Sequence, residues 1–179
     1  MEQMGLAPES SHHEKGPGQN EIVFKYHDAL ETADNLITFK SVVKTAANRN
    51  GLHASFMPKP MQNQSGSGLH LHLSLFKQGQ NIFKNEKDVH SPQAEGFIQG
   101  ILERISEITA FSNPLVNSYV RFGEDEAPKY ITWSHENRSQ LIRIPPATGQ
   151  HARMELRSPD PACNPYVTLA LLIYAGLEG

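Results

Sequence analysis

The chain has 179 residues, 38% of them apolar and 20% charged, with a formal net charge of −3, the profile of an ordinary globular protein long enough to bury a core. That charge offers no general attraction to nucleic acid or to anionic membranes, and the single cysteine, Cys163, excludes an internal disulfide and fits a reducing cytosol. The longest apolar run, Tyr166 to Leu177, is too short to span a bilayer, and no basic-then-apolar signal opens the chain.

The first informative stretch is SHHEKGPGQNE, Ser11 to Glu21. Gly16-Pro17-Gly18 is a strong turn signal, so His12 to Lys15 and Gln19 to Tyr26 are expected to fold back as adjacent antiparallel strands. Such a hairpin brings Glu14 and Glu21 together. Two adjacent carboxylates repel unless a cation neutralises them, and oxygen ligands suit Mg²⁺ or Mn²⁺. Asp28 to Asn50 reads as a helix, with Asp28 and Glu31 at capping-box spacing and Gly51 at the stop. Leu36, Phe39, Val43 and Ala47 form a stripe expected to face the core. His53 to Met57 reads as a short strand.

From Leu69 the sequence alternates: Leu69, Leu71, Leu73 and Leu75 against His70, His72, Ser74 and Phe76. A two-residue period puts the leucines on one face of a strand and two imidazoles and a hydroxyl on the other, about 7 Å apart. Gly66 and Gly68 just upstream remove Cβ atoms where a ligand or another backbone comes close. Gly79 to Val89 reads as polar loop or hairpin. Ser91-Pro92 opens a second helix whose buried face is Phe97, Ile98, Ile101, Leu102, Ile105 and Ile108, and Asn113-Pro114 ends it.

Arg121 to Tyr130 is acidic and aperiodic, a mobile loop by its composition. Ile131 to Ser134, Gln140 to Ile144 and Ala152 to Arg157 are strand candidates, the last with Arg153, Glu155 and Arg157 on one face and Met154 and Leu156 on the other. Asn164-Pro165 begins a final helix reaching Gly176. Five of the seven arginines, Arg121, Arg138, Arg143, Arg153 and Arg157, fall in this last third, and their planar forks match carboxylate and phosphate. Singly, each strand reads as a solvated edge. Together, several strands with one apolar face and one face of His, Glu, Arg or Ser read as the floor of a site for metals and anions.

Taken in order, SHHEKGPGQNE, KPMQNQSGSGLHLHLS, NPLVNSYVR, EAP, NRSQLIRIP and RMELRSPDP resemble the catalytic domain of type I glutamine synthetases from about Glu9 to Gly179. The resemblance implies an α+β fold, a curved antiparallel sheet backed by helices, with residues 1–179 as part of one catalytic domain. It implies two Mg²⁺ or Mn²⁺ sites, ATP as co-substrate, and ligation of ammonia to the γ-carboxylate of L-glutamate in a cytoplasmic ring of identical subunits, with no nucleic-acid or membrane partner. Position by position, Glu14 and Glu21 match ligands of one metal, and His70 and Glu155 ligands of the second. His72, Ser74, Arg138, Arg143 and Arg153 match the ATP side, Arg138 also the phosphoryl group in flight. Ser65, Gly66, Arg121 and Arg157 match the glutamate side, and Glu126 the flap residue that closes over the site.

The pattern also departs from the family's. Ser65 stands where asparagine is usual, Val120 where lysine is usual, and the loop from Arg121 to Glu126 is one residue short. By the same resemblance the N-terminal β domain, with a further glutamate for each metal, and the C-terminal end lie outside this chain, so the chain alone is expected to be inactive. A γ-glutamyl-amine ligase of the same superfamily and a non-catalytic synthetase-like protein are the alternatives. Trp133-Ser134 and NRSQLIRIP favour the synthetase over the amine ligase.

Overall fold

The computed structural model of the protein describes residues 2–84 and 90–179. It begins with a hairpin, β1 (Pro8–His13) against β2 (Asn20–Phe24), followed by helix α1 (Ala29–Arg49). Strand β3 (Leu71–Leu73) and a small hairpin, β4 (Phe76–Lys77) with β5 (Gln80–Asn81), lead to the long α2 (Pro92–Ser112) and short α3 (Val116–Arg121). Strands β6 (Trp133–His135), β7 (Ile142–Ile144) and β8 (Met154–Leu156) precede the final helix, α4 (Pro165–Glu178).

The central sheet has the order β3-β8-β7-β6. Its β3–β8 and β8–β7 pairings are antiparallel, and the edge strand β6 joins β7 in parallel. The apolar face is built as the alternation predicts. Ile142, Ile144, Met154 and Leu156 are fully buried, Leu71 is buried, and Leu69, Leu73 and Leu75 pack partly buried against the same core. Helices α2 and α4 supply the backing through Phe97, Ile98, Ile101, Ile105, Ile108, Leu169 and Leu172, with Leu102 half-buried beside them. The two helices approach so closely that a Cβ on Gly100 would lie 2.1 Å from the Ala175 carbonyl oxygen. Only glycine fits there.

The helix starts follow their sequence signals in two cases out of three. Ser91 caps α2 by accepting the Ala94 N–H, and Asn164 caps α4 by accepting those of Tyr166 and Val167, each with proline in the first turn. Asp28 stands at the α1 N-cap but its side chain makes no capping bond. Glu31 instead turns to His27, 3.1 Å away, so the capping box is not formed. Gly51, at a φ of 70°, closes the other end of α1 as expected.

Two further expectations differ. The α1 stripe of Leu36, Phe39, Val43 and Ala47 is only half-buried, with Ala33 the helix's one buried residue. The helix packs on α4, and Phe39 meets Phe24 and Phe56 edge-on at 5.0 and 5.7 Å. His53 to Met57 pairs with no strand among the described residues and is irregular. A lone extended segment gains no ladder bonds. Of the Gly79–Val89 segment, read as loop or hairpin, Gln80–Asn81 pairs with β4 in a hairpin, and residues 85–89 lie outside the described residues. No helix of the described residues is long and apolar enough to cross a membrane.

Candidate active site

The Gly16-Pro17-Gly18 turn closes through the Gln19 N–H to the Gly16 carbonyl, with Gly18 at a φ of 68°. Its closure sets the β1–β2 register so that His12 lies opposite Glu21. Glu14 follows His12 by two residues and turns to the same side. The His12 Nε2 sits 3.1 Å from Glu14 and 3.5 Å from Glu21, and one ligand atom from each of the three falls within 4.8 Å of the others. Burial raises the Glu21 pKa first, the neighbouring Glu14 carboxylate adds to the rise, and Glu155 contributes further. A carboxyl held up by a second carboxylate is the electrostatic setting that a divalent cation relieves. The two carboxylates suit Mg²⁺ or Mn²⁺, with the His12 imidazole beside them.

The second cluster lies on the polar face of the sheet. The register aligns His72, Glu155 and Arg143 across β3, β8 and β7. Glu155 is 3% exposed. Arg143 donates to its Oε2 at 2.7 Å, Arg157 donates to its Oε1, and His70 Nδ1 stands 3.5 Å from the same Oε1. Burial alone would lift the Glu155 carboxyl, but the Arg143 hydrogen bond and the charges of Arg157 and the histidines hold it below the usual carboxylate range. Burial, then Arg157, push His70 down to about 3, against the pull of Glu155. Its imidazole is therefore neutral at physiological pH, the form a metal ligand needs. On the same face, Arg153 Nε donates to His72 Nδ1 at 3.1 Å, which leaves the proton of neutral His72 on Nε2. Ser74 lies half-buried just past the end of β3.

The acidic loop after α3 reaches over this face and is tied at three successive residues. Glu124 pairs with Lys59, Asp125 accepts from Ser65 Oγ at 2.8 Å and stands 3.9 Å from Lys15, and Glu126 faces three cations. These are Arg157 at 3.7 Å, Lys15 at 3.9 Å and Arg138 at 4.0 Å. The segment expected to be loose thus starts inside α3 and is held by charge. Gln19 links the two turns, accepting from the Gly16 N–H and donating to the Gly66 carbonyl at 2.9 Å. A Cβ on Gly66 would meet the Pro58 carbonyl at 2.6 Å, and one on Gly68 would meet Arg121 at 2.7 Å and His70 at 3.0 Å. Gly66 permits a close backbone approach, and Gly68 leaves room for the two side chains.

Arg121 is placed differently from the other arginines. It is 4% exposed and gives its guanidinium to main-chain carbonyls, NH1 to Ser158 at 2.7 Å and NH2 to Arg157 at 3.0 Å. Burial lowers its pKa to about 10, opposed by Asp160. The Gly66–Gly68 turn therefore lies against Arg121, while Arg157 extends to Glu155 and Glu126.

The structure thus gathers Glu14 with Glu21, joins His70 to Glu155, Arg143 and Arg157, and sets Glu126 against Arg138 and Arg157. Sequence reasoning passed over His12, Lys15, Gln19, Lys59 and Asp125. His12 was within reach, because alternation puts it on the Glu14 face and the hairpin puts it opposite Glu21. The others act through loop contacts that no periodicity encodes.

Residues 1–179 match the family described as glutamine synthetase, catalytic domain. The chain is 56% identical over its whole length to the glutamine synthetase of Clostridium saccharobutylicum, of which it covers 41%. It is 54% identical to that of Thermus thermophilus, covering 98% of this chain and 40% of the relative. The chain thus spans about two-fifths of the length of these relatives. Among solved structures, Plasmodium falciparum glutamine synthetase superposes with a TM-score of 0.95 at 34% identity over 99% of this chain and 35% of that one. GmaS without ligand superposes with a TM-score of 0.90 at 41% identity, covering 99% of this chain and 41% of that one. The sequence and fold matches agree, and the chain belongs to the glutamine synthetase catalytic-domain family.

Proposed function

We propose that residues 1–179 form part of one catalytic domain, and that the assembled cytosolic protein carrying it joins ammonia to the γ-carboxylate of L-glutamate with ATP, through γ-glutamyl phosphate. The observation that carries this reading is the shared row of charge on the polar face of the sheet, where Glu155 is gripped by Arg143 and Arg157 while Glu126 faces Arg157 and Arg138. Phosphoryl transfer between two anions requires cations on every side of the reacting groups. A neighbour in fold, the GmaS/ADP complex, matches with a TM-score of 0.89 at 39% identity over 99% of this chain and 43% of that one, and supports an adenine nucleotide as a ligand of this fold.

In this reading Glu14 and Glu21 hold one divalent cation, with His12 beside them, and His70 and Glu155 hold the second. The cations, when bound, neutralise phosphate and carboxylate charge and so permit the anionic partners to meet. Arg138 and Arg143 neutralise the phosphoryl oxygens, with His72, Ser74 and Arg153 on the nucleotide side. Arg121, Arg157 and the Ser65–Gly66 turn hold the glutamate. Glu126 accepts a proton from ammonium at its carboxylate and, with its loop closed, excludes the water that would hydrolyse the acyl phosphate.

The test measures phosphate and glutamine together in the full-length assembly. The unaltered protein should release one phosphate for each glutamine, and Glu126→Ala should release more phosphate than glutamine. A ratio that stays at one in the variant removes Glu126 from this role, and a wild-type assembly that forms no glutamine removes the reading itself.

A further inference from the structure

Behind the arginines lies a polar cluster with no solvent contact. Ser112, Asn113 and Asp160 are all 0% exposed, at the end of α2 and in the segment after β8. Buried polar groups are retained only when their bonds are made, and here they are. Ser112 Oγ donates to Asn113 Oδ1 at 2.8 Å. Asn113 Nδ2 donates both to the Ser158 carbonyl at 2.8 Å and to Asp160 Oδ2 at 3.0 Å. Asp160 Oδ1 accepts the Ala162 N–H at 2.9 Å, and the Asp160 N–H donates to the Ser112 carbonyl at 3.2 Å.

The Ser158 carbonyl is the junction. It receives Asn113 from one side and Arg121 NH1 from the other, while Arg121 NH2 takes the next carbonyl back, that of Arg157. Arg121 forms no ion pair among the described residues, and Asp160 is the acidic group that favours its charged form against burial. Every acceptor of the Arg121 guanidinium thus lies on a two-residue segment whose position the Asn113–Asp160 pair sets.

We infer that Asp160, oriented by Asn113 and Ser112, is a positioning residue for the glutamate side of the site, holding the Arg121 guanidinium and the Arg157 main chain where those two arginines meet the substrate. The inference rests on the proposed function, in which Arg121 and Arg157 hold glutamate. Without the Asp160 carboxylate, Asn113 loses one of its two acceptors and is free to turn, and the Ser158 carbonyl and Arg121 move with it. A displacement of about 1 Å is enough to cost a large factor at a site built for one geometry.

The test uses the full-length assembly, with steady-state kinetics in glutamate and in ATP separately. Asp160→Asn keeps the shape, removes the charge and sets an amide against the Asn113 amide. It should raise the glutamate KM by about tenfold, the order of one charge-assisted hydrogen bond, with the ATP KM within about twofold. A lowered melting temperature with unchanged KM values, or an equal rise in both, overturns the inference. Should Asp160→Asn not fold, Ser112→Ala carries the test: the glutamate KM should rise while the ATP KM stays, and an unchanged glutamate KM overturns the inference. Absence of glutamate-dependent turnover in the wild type overturns the functional reading instead, and is seen before any variant is made.

Discussion

Arg143 and Glu155 face each other across the antiparallel pairing of β7 and β8, and the guanidinium reaches the carboxylate at 2.7 Å. Arg157, two residues along the chain from Glu155, takes the other carboxylate oxygen. One buried anion therefore answers two cations. Removing it leaves both without their partner, so Glu155→Ala should destabilise the protein by about 3–5 kcal/mol, the usual cost of breaking a buried pair on one side only. Denaturant unfolding checks this, and a loss below about 1 kcal/mol would show that water or a rearranged arginine replaces the anion.

The same group predicts how stability depends on pH. The folded Glu155 carboxyl is held below its ordinary value. Its contribution is therefore complete above the unfolded carboxylate range, near pH 4.3, and is lost as pH falls through the lower folded value. Glu155→Gln should flatten this acid limb of the stability curve, measured by unfolding at closely spaced pH values. An unchanged limb would assign acid sensitivity to other carboxylates.

His70 acts in the same direction through a different window. Its folded pKa of about 3 lies below the unfolded imidazole value, so the unfolded state binds the extra proton. The stability associated with neutral His70 is present above about pH 6.5 and falls steadily as pH drops toward 3. The proton NMR signal of its imidazole should stay unshifted from pH 7 down to about 4 in protein free of added divalent metal. A titration midpoint near 6 would refute the burial argument.

The turn glycines give a steric prediction. A Cβ at Gly66 would lie 2.6 Å from the Pro58 carbonyl, a main-chain atom held by the bond it accepts from the Ser67 N–H at 2.8 Å. Gly66→Ala should cost about 1–3 kcal/mol, because backbone cannot yield as a side chain does. It should also weaken glutamate binding if the turn serves the substrate as proposed. Thermal unfolding and a glutamate titration measure the two effects separately.

The loop carrying Glu126 is held through carboxylates that are about half exposed, so its restraint should be modest. Lys59→Met removes the partner of Glu124 and the bond to the Gln64 carbonyl. Amide exchange over residues 122–127 should quicken by about two- to fivefold, in keeping with a half-exposed ion pair worth up to about 1 kcal/mol. Exchange in α2 should not change. Added salt should produce the same acceleration in the unaltered protein, since it screens the same pairs.

Local chemistry determined much of this protein directly. The leucine alternation declared one buried face of β3, Gly16-Pro17-Gly18 declared the hairpin that joins Glu14 to Glu21, and Ser91-Pro92 and Asn164-Pro165 declared the starts of α2 and α4. Each depends on backbone geometry or side-chain period within a few residues, which a linear sequence records. The site residues were legible as types on a face. Their partners were not. That Arg143 and Arg157 share Glu155, that Lys15 reaches Glu126, and that Arg121 turns inward to the Ser158 and Arg157 carbonyls all depend on loops brought together from distant parts of the chain. The α1 stripe shows the same limit from the apolar side: its spacing is helical, yet Leu36, Phe39, Val43 and Ala47 are only half-buried. Periodicity states which residues share a face, and only tertiary packing decides what that face meets, because burial and ion pairing are properties of the space between elements.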